Sequence, residues 1–330
     1  MKMPSAPILL LAAASAFTAV SAHAESATSY NAVVRHNFTG TSADVEGRLA
    51  AGGNISLSNY EVALKDQQAP GSYAIVAGGS FTGGTGRSHG DTLATSYNGS
   101  YTVEGTAQTY ANGGTSPINI ASEMTRLSNL STAYAANPAS FGSLGSVTYQ
   151  WDQIWLVGGD SNVNIFNIDP AAFGDNHGWH LATKAGSVSI FNVGGVSVSI
   201  ANTGSDNAVL PGLSLGFVAQ NYSASNVLYN FNQATSLNVL GSVNASILAP
   251  FAAVNSVPGR IDGQLFADSF SGGVQINNVK FAGFNPLRGG LDPVSNIGGV
   301  PEPAQWMLMI FGFAGVGAMA RRRKPVLATA

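Results

Sequence analysis

Cysteine is absent from all 330 residues of this sequence, and charged residues make up only 9% of them. A chain without thiols forms no disulfide bonds, so side-chain packing and backbone hydrogen bonds must hold the fold together. The formal net charge of −3 offers no strong attraction to nucleic acid or to an anionic membrane surface. We therefore expect neither a disulfide scaffold nor a nucleic-acid partner.

Glycine, by contrast, is abundant at 40 residues, and serine, threonine and asparagine are frequent. This composition indicates a β-rich surface protein whose polar exterior consists of hydroxyl and amide groups. No clear linker interrupts residues 30–285. We therefore predict one large domain over residues 25–288, followed by a linker rich in glycine, proline and asparagine at residues 289–299.

The amino terminus has the parts of a secretory signal peptide. Lys2 provides a positive charge, and residues 8–20 form an apolar run that is short for a membrane span. Ala22 and Ala24 then give the small-x-small pattern that precedes cleavage, so Glu25 is the predicted first residue of the mature chain. We predict a signal peptide over residues 1–24; an uncleaved anchor or a buried helix is the alternative.

The carboxyl terminus carries a second targeting pattern. A Pro-Glu-Pro motif precedes an apolar segment at residues 304–320, which is at the short limit for a transmembrane helix. A basic cluster follows this segment and is predicted to stop it in the membrane, because positive charges stay on the cytoplasmic side. The motif consists of Pro301, Glu302 and Pro303, and the membrane stop of Arg321, Arg322 and Arg323.

In this order, residues 300–324 closely resemble the PEP-CTERM sorting signal of Gram-negative bacteria. The resemblance implies processing near the Pro-Glu-Pro motif by an exosortase, a transpeptidase-like membrane enzyme. It also implies a destination at the cell surface, the outer membrane or the extracellular matrix, together with exopolysaccharide production. A plain membrane anchor is the alternative.

The body of the chain contains a weak internal repeat. The segments that start at Val45, Val243 and Ile261 share the order apolar, polar, small, polar, apolar, any, Ala. This alternation is typical of a strand with one buried face. The last two copies begin 18 residues apart, close to the length of one coil of a β-solenoid, in which each coil buries its apolar face by stacking.

Glycine pairs mark bends after three apolar stretches, at Gly52-Gly53, Gly78-Gly79 and Gly158-Gly159.

One segment of the body has the period of a helix. Between Ser122 and Ala135 the apolar residues recur at helical spacing, with Ser122 as the predicted N-cap. We predict one amphipathic helix packed along the β body; its apolar residues are Met124, Leu127, Leu130 and Tyr134.

The body also resembles the choice-of-anchor A domain. The most specific stretches are Gly47 to Asn54 and Ser246 to Pro250, supported by Val227 to Phe231 and Ile261 to Gly273. This resemblance implies a secreted adhesive module at the cell surface. Residues 247–267 are also similar to the β-solenoid of ice-binding proteins, which lay one long helix along their coils. The predicted fold is thus a right-handed β-solenoid (β-helix) with one packed α-helix.

Three clusters of polar residues are candidates for metal binding or catalysis. Asp160, Asn162 and Asn164 have alternate oxygen ligands, but an EF-hand loop needs Gly and Glu where Ile165 and Ala171 stand. His177, His180 and Asp175 are close enough in sequence for a metal but are better explained as an aromatic loop. Asp262 and Asp268 are candidate paired carboxylates, although solvent-facing positions explain them equally well. We predict no catalytic residue, no metal and no cofactor.

These patterns favour a non-enzymatic surface or matrix protein, an adhesin or biofilm component. The predicted partners are the exosortase and exopolysaccharide or other surface glycans, with a membrane contact through the carboxyl-terminal segment before processing. A polysaccharide-cleaving β-helix enzyme is one alternative. Ice binding is another, but it requires regular Thr-x-Thr ranks, and the sequence shows none.

Overall fold

The computed structural model describes residues 25–150, 153–173, 178–201, 217–219 and 223–284. Within these ranges the protein is mostly β-strand with one α-helix, α1 (Ile120–Ala136). Eleven strands precede α1: β1 (Ala32–Val34), β2 (Phe38–Val45), β3 (Leu49–Ala51), β4 (Ile55–Val62), β5 (Tyr73–Ala77), β6 (Phe81–Gly83), β7 (Gly86–Ser88), β8 (Asp91–Ala94), β9 (Tyr97–Gly99), β10 (Thr102–Val103) and β11 (Ala107–Thr109).

Twelve strands follow the helix within the described residues: β12 (Ser143–Leu144), β13 (Ser146–Gln150), β14 (Gln153–Val157), β15 (Val163–Ile168), β16 (Gly178–Lys184), β17 (Val188–Val193), β18 (Ser197–Ile200), β19 (Phe217–Ala219), β20 (Val227–Asn230), β21 (Ser236–Val239), β22 (Ser246–Asp262) and β23 (Leu265–Asn277). Nineteen of the strands form one sheet, and its pairs are parallel.

The long sheet is wound into coils, and those that contain β2, β4, β22 and β23 have three strand segments each. Within the described residues, β17 with β18 and β20 with β21 supply strands to two faces, and β12 and β15 to one. In β22 and β23 the segments are separated by register shifts between Ala249 and Ala253 and between Ser256 and Gly259. We call the three resulting sides face A, which contacts α1, face B, which contains β6, β9, β18 and β21, and face C, which contains β7 and β10. Parallel coils with three sides are the architecture of a β-solenoid, as predicted; the handedness stays a prediction.

The coils are not stacked in chain order. On face A, β1 pairs with β3 on one side and with the late strand β23 on the other. Coils before the helix extend from β3 through β5 and β8 to β11, and coils after the helix extend from β22 to β12 in the opposite direction along the stack. The first coil therefore lies in the middle of the solenoid, against the last one.

The repeated template occupies equivalent places in neighbouring coils. Ala32 pairs with both Leu49 and Leu265, and Leu265 pairs with Ile247, so all three copies stack on face A. The prediction of a single buried face was too limited. Leu49 and Ala51 fill the coil interior, whereas Ala50 packs under the helix, so both sides of this strand are buried.

Two of the three predicted glycine bends are the same corner of adjacent coils. A Cβ atom on Gly52 would lie 2.2 Å from the carbonyl oxygen of Arg35, and one on Gly78 would lie 2.3 Å from that of Gly52. Glycine is required here because the backbone of the next coil occupies the space of a side chain. The third bend, at Gly158, differs, because it follows β14 in a separate sheet.

Helix α1 extends two residues further toward the amino terminus than predicted. Its N-cap is Asn119, whose side chain accepts a hydrogen bond from the Ser122 backbone N–H at 3.0 Å; Ser122 is therefore not the cap. The predicted apolar face is confirmed. Its residues pack on the outward side chains of face A, and Met124, Leu127, Leu130 and Tyr134 are all buried.

A second, four-stranded sheet, β13-β14-β16-β19, packs against the interior of the coils after the helix. Trp179 from β16 lies 6.0 Å from the ring of Phe191 and 6.3 Å from that of Tyr229. The sequence patterns did not predict this sheet. Its apolar side chains add to the solenoid core where β15, β17 and β20 pass.

Several predicted segments lie outside the described residues. They are the signal peptide with Ala22 and Ala24, the linker at 289–299, the sorting motif Pro301-Glu302-Pro303 and the stop Arg321 to Arg323. In the described part of the chain, no helix has the length and apolarity needed to cross a membrane. The signal peptide, the domain boundaries and the sorting segment therefore stay predictions.

Candidate ligand-binding faces

Face B is flat because apolar and small polar residues alternate along its strands. In β2, Phe38 points into the core and stacks on Phe270 of β23 with ring centroids 4.6 Å apart, while Thr39 points to solvent. Gly40 lies next; a Cβ there would come within 2.8 Å of the Tyr60 ring. Glycine thus makes room for a tyrosine beneath the face, and the outer surface stays level.

The outward residues of face B form one row across eight strands. Strand pairing places each of them beside the next without a register shift at these positions. At the strand spacing of a sheet the row is about 34 Å long. Seven of its side chains are exposed and Asn238 is half-buried. The row, called the polar row below, is Asn98, Thr82, Ser56, Thr39, Ser271, Asn255, Asn238 and Ser199.

The corner beside the polar row is held by a short asparagine ladder. Asn37 Oδ1 accepts a hydrogen bond from the Asn54 backbone N–H at 2.8 Å, and Asn54 Oδ1 accepts one from Ser80 N–H at 2.9 Å. At the opposite border, Ser42 and Asn59 both adopt a left-handed backbone, with φ of 53° and 51°. Successive coils therefore turn at the same positions, which keeps the row straight.

The polar row contains hydroxyl and amide groups only. Two of its eight residues are threonine, and the one Thr-x-Thr pair, Thr39 and Thr41, pairs with Ser56 and Ser58 of the next coil. Such a surface donates and accepts hydrogen bonds along its length without presenting a charge. A regular threonine rank, as the ice-binding reading requires, is not formed at these positions.

Face C carries charges where face B carries hydroxyls. Its outward row places Thr102, Arg87, Glu61 and Asp44 in register across four strands. Arg87 lies 3.0 Å from Glu104 and 3.7 Å from Glu61. Positive and negative groups thus neutralise one another along the row, as expected for a solvated surface.

His89 is the buried centre of this charged cluster, with a side chain only 8% exposed. Its Nδ1 lies 2.7 Å from Glu104 and its Nε2 lies 3.3 Å from Glu61. Burial works against ionisation of Glu104, but hydrogen bonds from His89 and Arg87 outweigh it and lower the pKa of that carboxyl. The cluster joins three successive coils through β4, β7 and β10, which is a structural task.

Asp44 borders a shallow cleft at the junction of faces B and C, lined also by Ser42, Asn59, Glu61 and Arg87. Burial, aided by the carboxylate of Glu46, raises the pKa of Asp44 to about 6. Its Oδ1 atom is buried and has no hydrogen-bond partner among the described residues. Within those residues no group of three or more acidic, histidine or cysteine side chains could hold a metal ion.

The predicted mature amino terminus, Glu25, is anchored in the fold. Its backbone N–H donates to the Pro117 carbonyl at 2.6 Å, and its carboxylate lies 2.6 Å from the buried guanidinium of Arg48. Arg48 also stacks over the Tyr30 ring at 4.2 Å. Glu25 therefore contributes a backbone hydrogen bond and an ion pair to the folded domain.

The candidate calcium ligands have structural roles. Asp160 Oδ1 accepts hydrogen bonds from the backbone of Asn162 at 2.7 Å and of Val163 at 3.3 Å, and Ser143 donates to its other oxygen. These bonds, first that from Asn162, lower the pKa of Asp160. Asn164 donates to Ser187 of the next coil at 3.1 Å. The carboxylate and amide oxygens thus close the turn that precedes β15.

The two candidate carboxylates serve opposite corners of face A. Asp262 lies at the end of β22 beside Arg260, at 2.9 Å, whereas Asp268 follows the face A segment of β23 and contacts His36 at 3.0 Å. The structure does not bring them together as a pair.

Of the candidate metal residues, Asp175 and His177 lie outside the described residues. His180 stacks on Trp155, with ring centroids 3.9 Å apart, and its Nε2 lies 2.8 Å from Gln153 Oε1.

Sequence reasoning did not find the polar row, because its members come from eight separate strands. Its signal was the short polar-apolar-polar pattern in Asn37 to Thr39 and Asn54 to Ser56, which repeats in Ser80 to Thr82.

A family model described as "Putative Ice-binding-like adhesive domain" matches residues 23–278. Comparison with curated proteins and with solved structures gave no match.

Proposed function

Because the chain belongs to the ice-binding-like adhesive domain family, we propose that it is an exported, non-enzymatic adhesin that binds extended, uncharged polymers through face B. Exopolysaccharide and other surface glycans are the ligands with this chemistry. The family match supports an adhesive domain at the cell surface or outside the cell. The polar row supports the choice of face and ligand class.

The polar row is the observation that carries the proposal. Eight hydroxyl or amide side chains repeat at the strand spacing over about 34 Å. A regular polymer can meet such a row at many successive positions, and each contact is modest by itself. The parallel ladders on either side hold the row rigid, so binding costs little ordering of the protein.

The absence of charge in the row selects the ligand class. A ligand that covers an ion pair on the protein removes the water around both charges, and this desolvation costs much free energy. Hydroxyl and amide groups instead exchange hydrogen bonds to water for hydrogen bonds to sugar hydroxyls, at little cost in free energy. Face C, with its Arg87 and Glu61 row, is poorly suited to the same contact. We expect binding that depends little on salt concentration, because Coulomb attraction contributes little.

We further propose that the predicted tail delivers this domain to the cell surface. A signal peptide over residues 1–24 would start export, and an exosortase would process the chain near Pro301, Glu302 and Pro303. The apolar segment would hold the chain in the membrane until then, with Arg321 to Arg323 as its stop. Replacing Glu302 by Ala is expected to leave unprocessed chain in the membrane fraction, detectable by its larger mass.

The binding proposal is tested with purified exopolysaccharide and a glycan array. One carboxylate is placed in the middle of the row by Thr39→Asp, Ser56→Asp or Ser271→Asp. Each variant should weaken binding by roughly tenfold or more, because a charge is desolvated without a partner. Arg260→Gln on face C changes the net charge by the same amount and should bind like the unaltered protein.

Circular dichroism confirms that each variant is folded. Equal losses for the face B variants and Arg260→Gln, or no loss for either, would contradict a role for the polar row. Release of oligosaccharide from the polymer would contradict the non-enzymatic part of the proposal. Thermal hysteresis that disappears in the face B variants alone would assign the row to ice in place of glycan.

A further inference from the structure

One end of the solenoid is an open coil formed by β9, β10 and β11, here called the end coil (residues 97–109). Each of its strands pairs on one side only within the described residues: β9 with β6, β10 with β7 and β11 with β8. The backbone N–H and C=O groups of the other edge therefore point along the stack on all three faces. Such edges are templates for pairing with another chain.

The core is closed at this end by tyrosine rings. The ring centroid of Tyr97 lies 5.9 Å from that of Phe81, and the ring centroid of Tyr101 lies 5.0 Å from it. The Tyr97 hydroxyl donates to the carbonyl of Gln108 and the Tyr101 hydroxyl to that of Arg87, both at 2.7 Å. Both side chains are half-buried, so they seal the interior while leaving the strand edges uncovered.

The end coil lacks the features that usually protect an edge strand. Natural edges carry lysine, proline or a bulge that prevents pairing. From Tyr97 to Thr109 there is no lysine, arginine or proline. The one charge, Glu104, pairs with Arg87 and contacts His89 of the preceding coil. Apart from Glu104, the exposed residues are small: Asn98, Gly99, Ser100, Thr102, Gly105, Thr106 and Ala107.

We propose that the end coil docks against the end coil of a second copy of this chain. A partner must present three strand edges around a similar outline, and a second end coil does so. A two-fold axis then sets one face opposite itself and the other two faces opposite each other. A single extended peptide can follow only one face. The far end of the stack differs in outline, because among the described residues it ends in β12 and β18, with the sheet β13-β14-β16-β19 beside them.

Contact between identical ends is isologous, with a two-fold axis across the joint and antiparallel pairing of the edges. The strands of the end coil contain eight residues, so the joint is smaller than a stable interface of about 1,000 Å². The dimer is accordingly weak in dilute solution. On a surface that displays many copies, the same joint gains strength by multivalency.

Sedimentation velocity on the full chain in detergent tests the joint. The unaltered chain should dimerise as its concentration rises. Thr102→Lys combined with Thr106→Lys should raise the dissociation constant at least about tenfold, because like charges then meet across the axis. The control, Thr41→Lys with Ser58→Lys, adds the same charges in the middle of the stack and should dimerise normally. A monomer at every concentration, or a dimer that both pairs of lysines leave intact, overturns the proposal.

Cross-linking then identifies the orientation, since the natural chain has no cysteine to interfere. Single cysteines replace Asn98, Thr102 and Ala107, one on each face of the end coil. A two-fold axis places one face opposite itself, so one of these variants should form a disulfide dimer alone. Ser199→Cys at the far end is the control. Cross-links that need an end-coil cysteine together with cysteine at 199 show head-to-tail stacking and overturn the proposal, as does a dimer of Ser199→Cys alone.

Discussion

Faces B and C are made by the same chain segments yet differ in chemistry. Strands β2 and β4 each run along face B, bend at a left-handed residue, Ser42 or Asn59, and continue along face C. Before the bend the outward residues are hydroxyls, and after it they are Asp44 and Glu61. The inward residues are apolar on both sides. A single solenoid core therefore supports two independent surfaces, one uncharged and one charged.

The largest effects should come from the interior, where the two faces are alike. Phe270→Ala under face B should lower the free energy of unfolding by about 3–5 kcal/mol, and Ile276→Ala under face C by about 2–5 kcal/mol. Both residues are buried in one core cluster. Ser271→Ala, one position from Phe270 but exposed, should change it by less than about 0.5 kcal/mol.

Urea denaturation measures all three variants. If Ser271→Ala costs as much as Phe270→Ala, the outward row is part of the core and the separation of surface from interior is wrong.

An intermediate effect should come from the charged cluster, which face B lacks. His89→Ala leaves Glu61 and Glu104 without a buried partner and should cost about 1–3 kcal/mol. His36→Ala is the matched control, since His36 also contacts a carboxylate, Asp268, but is 62% exposed. Its loss should stay below about 1 kcal/mol.

Thermal unfolding of both variants, with and without added salt, distinguishes the cases. Equal losses would mean that burial does not set the strength of these contacts.

The smallest effect is a pH dependence confined to face C. Asp44 has a folded pKa of about 6, raised first by burial, so the folded state holds more protons than the unfolded state between that value and the ordinary carboxyl range. The contribution of Asp44 to stability therefore falls as pH rises through this window. Asp44→Asn should stabilise the protein by about 1 kcal/mol at pH 8, after allowance for solvent screening, and should have no effect at pH 4.

The contribution of Glu104 to the free energy of unfolding should change with pH in the opposite direction. Its pKa is lowered by His89 and Arg87 despite desolvation, so its contribution is present above the ordinary carboxyl range and is lost as pH falls through the folded value. Denaturation of Asp44→Asn and Glu104→Gln across this pH range should give slopes that change in opposite directions. Two slopes that change together would contradict the assigned shifts.

Local features of the fold were predictable from the sequence because they depend on near neighbours along the chain. Period-two alternation in the three template segments indicated that Leu49, Ile247 and Leu265 face the core. Met124 and Leu127 indicated the helix face, although the N-cap is Asn119 and not the predicted Ser122. The Gly52-Gly53 bend was predicted, and its cause, the close passage of Arg35, became visible only in the structure.

The candidate site was less predictable. Thr39 and Ser271 are adjacent in the polar row but belong to β2 and β23, the second strand and the last strand of the described residues. No local pattern relates them. The candidate carboxylates Asp262 and Asp268 are close in the sequence, yet the strand segment between them places them at different corners.

The content of each coil follows from local sequence: which side chains point inward, where the chain bends, and that no disulfide contributes. The order of the coils does not follow from local sequence and is visible only in the folded chain. The first coil lies beside the last because β1 and β2 pair with β23, and α1 leads the chain from one end of the stack to the other. Alternation is set by local backbone geometry, whereas pairing between distant strands is set by the burial of shared apolar surface, which no short segment contains.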